Sequence, residues 1–196
     1  SNCYASMFSG CTSLTDAPAL PATDLGVSCY YNMFQYCTSL TTAPSILPAT
    51  TLVSYCYQNM FSNCTSLTTA PELPATSFPL VSGSRCYNSM FSGCTNLNYI
   101  KCLIATPPTG ATATNNPLYN WVSGVSATGV FVKASNANWV RGKSGIPNNW
   151  TILDNPTHTT GVWLKKYDGT EISGTPENNS YRWSFDWYED GIDQFC

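Results

Sequence analysis

Charge is what this sequence has least of. Asp, Glu, Lys and Arg make up 10% of its 196 residues, eight basic and 11 acidic, where soluble domains usually carry roughly 25%. With a net charge of −3 and no basic stripe to displace counterions from phosphates, nucleic acid is excluded as a partner. Histidine is nearly absent too: His158 stands alone, which weakens any zinc reading of the cysteines. No apolar run approaches the roughly 18–20 residues of a membrane-spanning helix. Nucleophile–base pairs, phosphate loops and dinucleotide fingerprints are also missing, so we expect no enzyme and no cofactor.

Aromatic residues (13%), Thr, Ser and Asn, 13 prolines and ten cysteines take the place of charge. That polar but uncharged surface chemistry suits a secreted or cell-surface protein, and the even cysteine count favours an oxidising compartment. Residues 1–98 carry only Asp16, Asp24, Glu72 and Arg85, while the other eight acids and seven bases lie in 99–196. Such a shift in composition predicts two structural regions. The chain opens inside a repeat with no signal-peptide pattern, as expected of a mature fragment or excised piece.

The first half repeats itself. Cys3-Tyr4, Met7-Phe8 and Cys11-Thr12-Ser13-Leu14 recur as Cys29-Tyr30, Met33-Phe34 and Cys37-Thr38-Ser39-Leu40. Further copies run from Cys56-Tyr57 to Leu67 and from Cys86-Tyr87 to Leu97, the starts lying 26, 27 and 30 residues apart. Between them sit Ala17-Pro18, Ala43-Pro44 and Ala70-Pro71, each followed by a Leu-Pro-Ala-Thr block. Leu14-Thr15-Asp16-Ala17 and its equivalents alternate like a short half-buried strand that the proline ends. The Met-Phe and Cys positions fit one short helical or 3₁₀ turn. One coil cannot bury these side chains alone, whereas stacked coils align them into internal columns. The expectation is an α/β solenoid of leucine-rich-repeat type over 1–105, followed by a mainly β cap or meander. The fourth copy replaces Ala-Pro with Tyr99-Ile100-Lys101-Cys102, so the array is expected to end near residue 105.

These four Cys-Tyr-x-x-Met-Phe-x-x-Cys copies resemble the BspA-like leucine-rich repeats of bacterial cell-surface proteins. Residues 117–152, from Asn120-Trp121-Val122-Ser123-Gly124-Val125 to Gly145-Ile146-Pro147 and Trp150-Thr151, resemble the carboxy-terminal segment that follows such repeats. The resemblance implies a surface-displayed, non-enzymatic recognition or adhesion array.

The cysteines leave three readings open. Pairs within a repeat (Cys3–Cys11, Cys29–Cys37, Cys56–Cys64, Cys86–Cys94) require the chain between them to fold back, because a continuous helix would hold their ends about 12 Å apart. Alternatively they are buried thiols packed as small hydrophobes in columns. Metal binding is the weakest reading. Cys102 and Cys196 remain, and a bond between them would tie the chain end to the last coil.

Residues 106–154 read as a capping segment and 155–196 as a small β-meander. Within the cap, Gly129–Lys133 reads as a strand, with Asn138–Gly142 and Trp150–Leu153 as further candidates, and Tyr119, Trp121, Trp139 and Trp150 are expected to seal the open end of the array. Val162–Tyr167 and Thr170–Ser173 read as a hairpin about Asp168-Gly169, with Ser180–Tyr188 as third strand. On that strand Trp183 and Trp187 share a face and offer a stacking pair for sugar rings, with Asp186, Tyr188 and Glu189 to bond hydroxyls at its edge. The contrary expectation is that both indoles form the meander's core. Thr41, Thr42, Thr68 and Thr69 form either a hydroxyl ladder for a ligand or a solvated sheet face. Function is expected to be recognition of a host or environmental protein or glycan. The alternatives are an architectural stalk or spacer, or a phage tail or receptor-binding component.

Overall fold

The computed structural model describes residues 2–79, 84–108 and 116–155, and the backbone of five short strands beyond them. Two compact units divide the chain, Ser1–Asn155 and Pro156–Cys196. Segment 106–154 belongs to the first.

The expected α/β leucine-rich-repeat solenoid is not what the chain forms. Among the described residues there is no helix, and the continuous strands of the first unit are three: β1 (Tyr99–Cys102), β2 (Val130–Ala134) and β3 (Thr151–Asn155). They make a small parallel sheet in the order β1-β2-β3, with Ile100 opposite Phe131 and Phe131 opposite Ile152.

The helix reading fails for a local reason. Every fourth residue of each Cys-Tyr-x-x-Met-Phe segment has left-handed backbone: Ser28, Asn32 and Tyr36 in the second copy, Tyr55, Asn59 and Asn63 in the third. A left-handed residue in each turn breaks the right-handed helical path. The segment becomes a run of tight turns whose four-residue period brings Cys29, Met33 and Cys37 to equivalent places, with Tyr30 and Phe34 one place further on. The strand reading fails at the prolines. Where Ala-Pro closes the segment, pairing shrinks to isolated bridges such as Asp16 to Thr42 and Thr69 to Tyr99. Where the fourth copy lacks that proline, the ladder runs on as β1.

Consecutive copies nevertheless bond to each other in register. Tyr30, Asn32, Phe34 and Tyr36 donate their amides to the Cys56, Gln58, Met60 and Ser62 carbonyls of the next coil, at 2.8–3.0 Å. The intervening amides of Tyr31, Met33 and Gln35 donate three residues back within their own coil. Alternate amides thus serve two directions, and the buried backbone is satisfied without helix or wide sheet. The side chains follow the same register. Phe8, Phe34, Phe61 and Phe91 stack with centroids 5.5, 5.4 and 5.7 Å apart, and Tyr30 lies 5.8 Å from Tyr57. Leu40, Leu67, Leu97, Met33, Met60, Phe34 and Phe61 are all buried, while Leu14, in the end coil, is half-buried. Leu20, Leu47 and Leu73, from the Leu-Pro-Ala-Thr blocks, are buried as well.

The stack continues past residue 105. Tyr87, Ser89, Phe91 and Gly93 donate to the Pro117, Tyr119, Trp121 and Ser123 carbonyls, so residues 116–124 form a fifth coil with left-handed Asn120 and Gly124. Trp121 takes the Met place and lies beside Tyr87 and Trp139. Trp121, Trp139 and Trp150 are buried and cover this end of the stack. Of the two further strand candidates, Trp150–Leu153 corresponds to β3, whereas Asn138–Gly142 shows only a bridge from Arg141 to Ile146.

In the second unit, β4 (Trp163–Lys166) pairs antiparallel with β5 (Glu171–Ser173), Leu164 facing Ile172. The third strand of that sheet is β8 (Ile192–Phe195), on the other edge of β4. Of the Ser180–Tyr188 strand expected from the sequence, the described part is β7 (Ser180–Tyr181), which pairs with β6 (Pro176–Glu177); the rest lies outside the described residues.

Candidate functional site

The bridges between coils are closed on the first rung and on the third, and open on the second. Between the first and second coils, Ala17 donates to the Thr42 carbonyl at 2.9 Å and Thr42 to the Thr15 carbonyl at 3.1 Å. Between the third and fourth, Ala70 donates to Tyr99 at 3.0 Å and Asn98 to Thr68 at 2.9 Å. Between the second and third, no backbone bond joins 41–44 to 68–70 among the described residues, and the Ala43 and Thr69 amides donate to no backbone carbonyl there. A few residues on the coils rejoin, with Leu47 donating to Glu72 and Glu72 to Ser45.

The opening is a groove of about 590 Å³ lined by Thr41, Thr42, Ala43, Pro44, Ser45, Thr68, Thr69 and Ala70. Four threonines and a serine supply hydroxyls, Ala and Pro supply apolar surface, and no lining residue is charged. Thr41 is already engaged, donating Oγ1 to the Thr15 carbonyl at 3.2 Å. Hydrogen bonds from Thr15, at 2.7 Å, and from Thr42 hold the exposed Asp16 carboxyl below its ordinary range. The Ser45, Thr68 and Thr69 hydroxyls have no protein partner among the described residues. Glu72 is matched by Lys101, whose Nζ lies 3.0 Å from Oε1. The groove is therefore neutral, rich in hydroxyls, and carries free backbone donors.

The aromatic platform expected at Trp183 and Trp187, with Asp186, Tyr188 and Glu189, lies outside the described residues. So does Cys196, and with it the proposed bond to Cys102. The thiols of Cys11, Cys29, Cys37, Cys56, Cys64, Cys86, Cys94 and Cys102 are not bridged, so none of the within-repeat pairs is formed. Burial and hydrogen bonding account for them instead. Cys37, Cys64 and Cys94 donate Sγ–H to the Phe8, Phe34 and Phe61 carbonyls of the preceding coil, each at 3.0 Å. Each thiol packs as a small apolar group and adds one more bond between coils. Burial pushes Cys64 well up, and pushes Cys94 and Cys102 up to about 12. Burial, and then the sulfur of Cys86 beside it, raise Cys56. These are inert thiols, not nucleophiles. Among the described residues no group of three His, Cys, Asp or Glu side chains is placed to hold a metal ion, and no helix is long and apolar enough to cross a membrane.

The tryptophans of the first unit offer no sugar platform. Trp121 donates Nε1–H to the Gly145 carbonyl and Trp150 to the Ser126 carbonyl, both at 2.8 Å, and both rings are buried. Of the site residues read from the sequence, the structure brings together the threonines. What the sequence did not show was the break in the ladder beside them, because Thr41-Thr42-Ala43-Pro44 and Thr68-Thr69-Ala70-Pro71 are the same motif. No family model, no curated protein and no solved structure matches this chain.

Proposed function

We propose that this chain is a non-catalytic recognition module of a secreted or bacterial cell-surface protein, and that it holds a neutral glycan in the threonine groove. The observation that carries this reading is the open rung between the second and third coils. It leaves hydroxyls and two backbone amides without partners beside the apolar surface of Ala43, Pro44 and Ala70. Sugars offer the same combination, hydroxyls that need donors and acceptors and C–H faces that need apolar contact. The absence of charge in the lining favours a neutral saccharide over an acidic one. The motif resemblance to bacterial surface repeats and the sparse charge of the whole chain support an extracellular setting.

A glycan array probed with the labelled chain tests the reading. The double substitution Thr68→Val and Thr69→Val removes two exposed hydroxyls and nearly preserves shape. It is expected to abolish retention while shifting stability by no more than about 0.5 kcal/mol, as surface changes usually do. Unchanged retention in that variant would reject the groove. A chain that binds no glycan at all would serve as a spacer.

A further inference from the structure

We propose that the outer face of the first coil is a docking surface for one more coil of the same repeat, a segment of the Cys-Tyr-x-x-Met-Phe-x-x-Cys type that presents its backbone N–H groups. Two independent observations meet on that face. One is the direction of the hydrogen bonds. Each coil donates alternate amides to the next, and the second coil receives them on the Cys29, Tyr31, Met33 and Gln35 carbonyls, from Tyr4, Ser6, Phe8 and Gly10 at 2.7–3.0 Å. In the first coil the matching carbonyls of Ala5, Met7 and Ser9 accept no bond from the described residues. They form a row of acceptors in the register that a donating coil fills between every other pair.

The other observation is the interrupted columns. Tyr4 is 46% and Met7 59% exposed, while Tyr30 and Met33, one coil further on, are each 2% exposed. Tyr4, Met7, Phe8, Pro18 and Leu20 line an apolar groove of about 390 Å³ that continues the tyrosine, methionine and phenylalanine columns outward. An apolar face alone would admit many partners, but the carbonyl row selects among them. A second copy applied face to face would set acceptors against acceptors. A coil of the same type, in the same orientation, brings donors to that row and Tyr, Met and Phe side chains to the columns at the spacing of the existing stack.

The test is a fusion. A duplicate of residues 27–53 placed directly ahead of Ser1 preserves the repeat register, because Val53 precedes Ser54 as the added segment precedes Ser1. The readouts are alkylation of Cys11 by iodoacetamide and oxidation of Met7 by dilute peroxide, both on the folded chain and located by peptide mass. With the added coil both reactions are expected to slow about tenfold or more, because the residues move from exposed to buried. A fusion carrying the same 27 residues in scrambled order, and one carrying Asn32→Pro within the added copy, are expected to leave both rates as in the unfused chain. Equal reactivity in the true and scrambled fusions would overturn the proposal. Equal protection by the two would overturn it as well, showing apolar cover without register.

Discussion

At the scale of single residues, the thiols behave as structural groups and not as reactive ones. Cys11 is exposed, whereas Cys37, Cys64 and Cys94 sit fully buried under the preceding coil with Sγ–H bonded to a carbonyl. Brief alkylation of the native chain is expected to label Cys11 and spare those three, and denaturant should make all of them react. Labelling of Cys64 at the rate of Cys11 would contradict the burial. A pH dependence follows, with a definite sign. Thiols in an unfolded chain ionise near pH 8.5, while Cys94 and Cys102 in the folded chain are pushed up to about 12. Across that window the folded state holds more protons, so the stability present below the lower value is lost as pH rises. The urea midpoint should accordingly fall between about pH 8 and pH 10, and a flat profile would contradict it. Tyr36 offers a second test. It is 52% exposed with φ of 64°, while Gly10 and Gly93 occupy the matching places in two other coils. Tyr36→Gly relieves about 1–2 kcal/mol of left-handed strain and loosens the unfolded chain by about 0.4–1. A net gain of about 0.5–1 kcal/mol in chemical denaturation is expected.

At the scale of elements, what matters is the coil and its four-residue turns. The columns were readable because Cys, Tyr, Met, Phe and Leu recur at fixed offsets, and their burial in the inner coils follows from the need to hide them. Leu40 is fully buried in the second coil, and Leu40→Ala is expected to cost about 2–5 kcal/mol, as large core truncations do. A cost below 1 kcal/mol would mean that the column is not packed. The shape of the coil was not readable in the same way. Phe8 and Cys11 lie three residues apart in a helix and in a chain of tight turns alike, so spacing cannot separate the two. The left-handed residues decide between them, and Ser28, Tyr55 and Arg85 are not types that announce such a backbone. The fifth coil was hidden by substitution, since Pro117, Leu118, Trp121 and Val122 stand where Cys, Tyr, Met and Phe are expected. Its surviving signal was Ser123-Gly124, which repeats Ser92-Gly93. In the second unit the β4–β5 hairpin follows its alternation. On the other edge of β4 lies β8, a pairing that no local alternation of the sequence announces, because it is set by tertiary context.

At the scale of the whole molecule, the first unit is a stack of coils held by backbone bonds running along it, with one rung left open. That rung is the proposed recognition site, and its two sides have the same sequence, so only the spacing of the second and third coils opens the groove. Residue-resolved amide hydrogen exchange by NMR reads it directly. Slow exchange is expected at Ala17, Thr42 and Ala70, whose amides bond across neighbouring rungs, and exchange near the rate of an unprotected peptide at Ala43 and Thr69. Protection of Ala43 and Thr69 equal to that of their neighbours would show a continuous ladder with no groove, and would contradict the site.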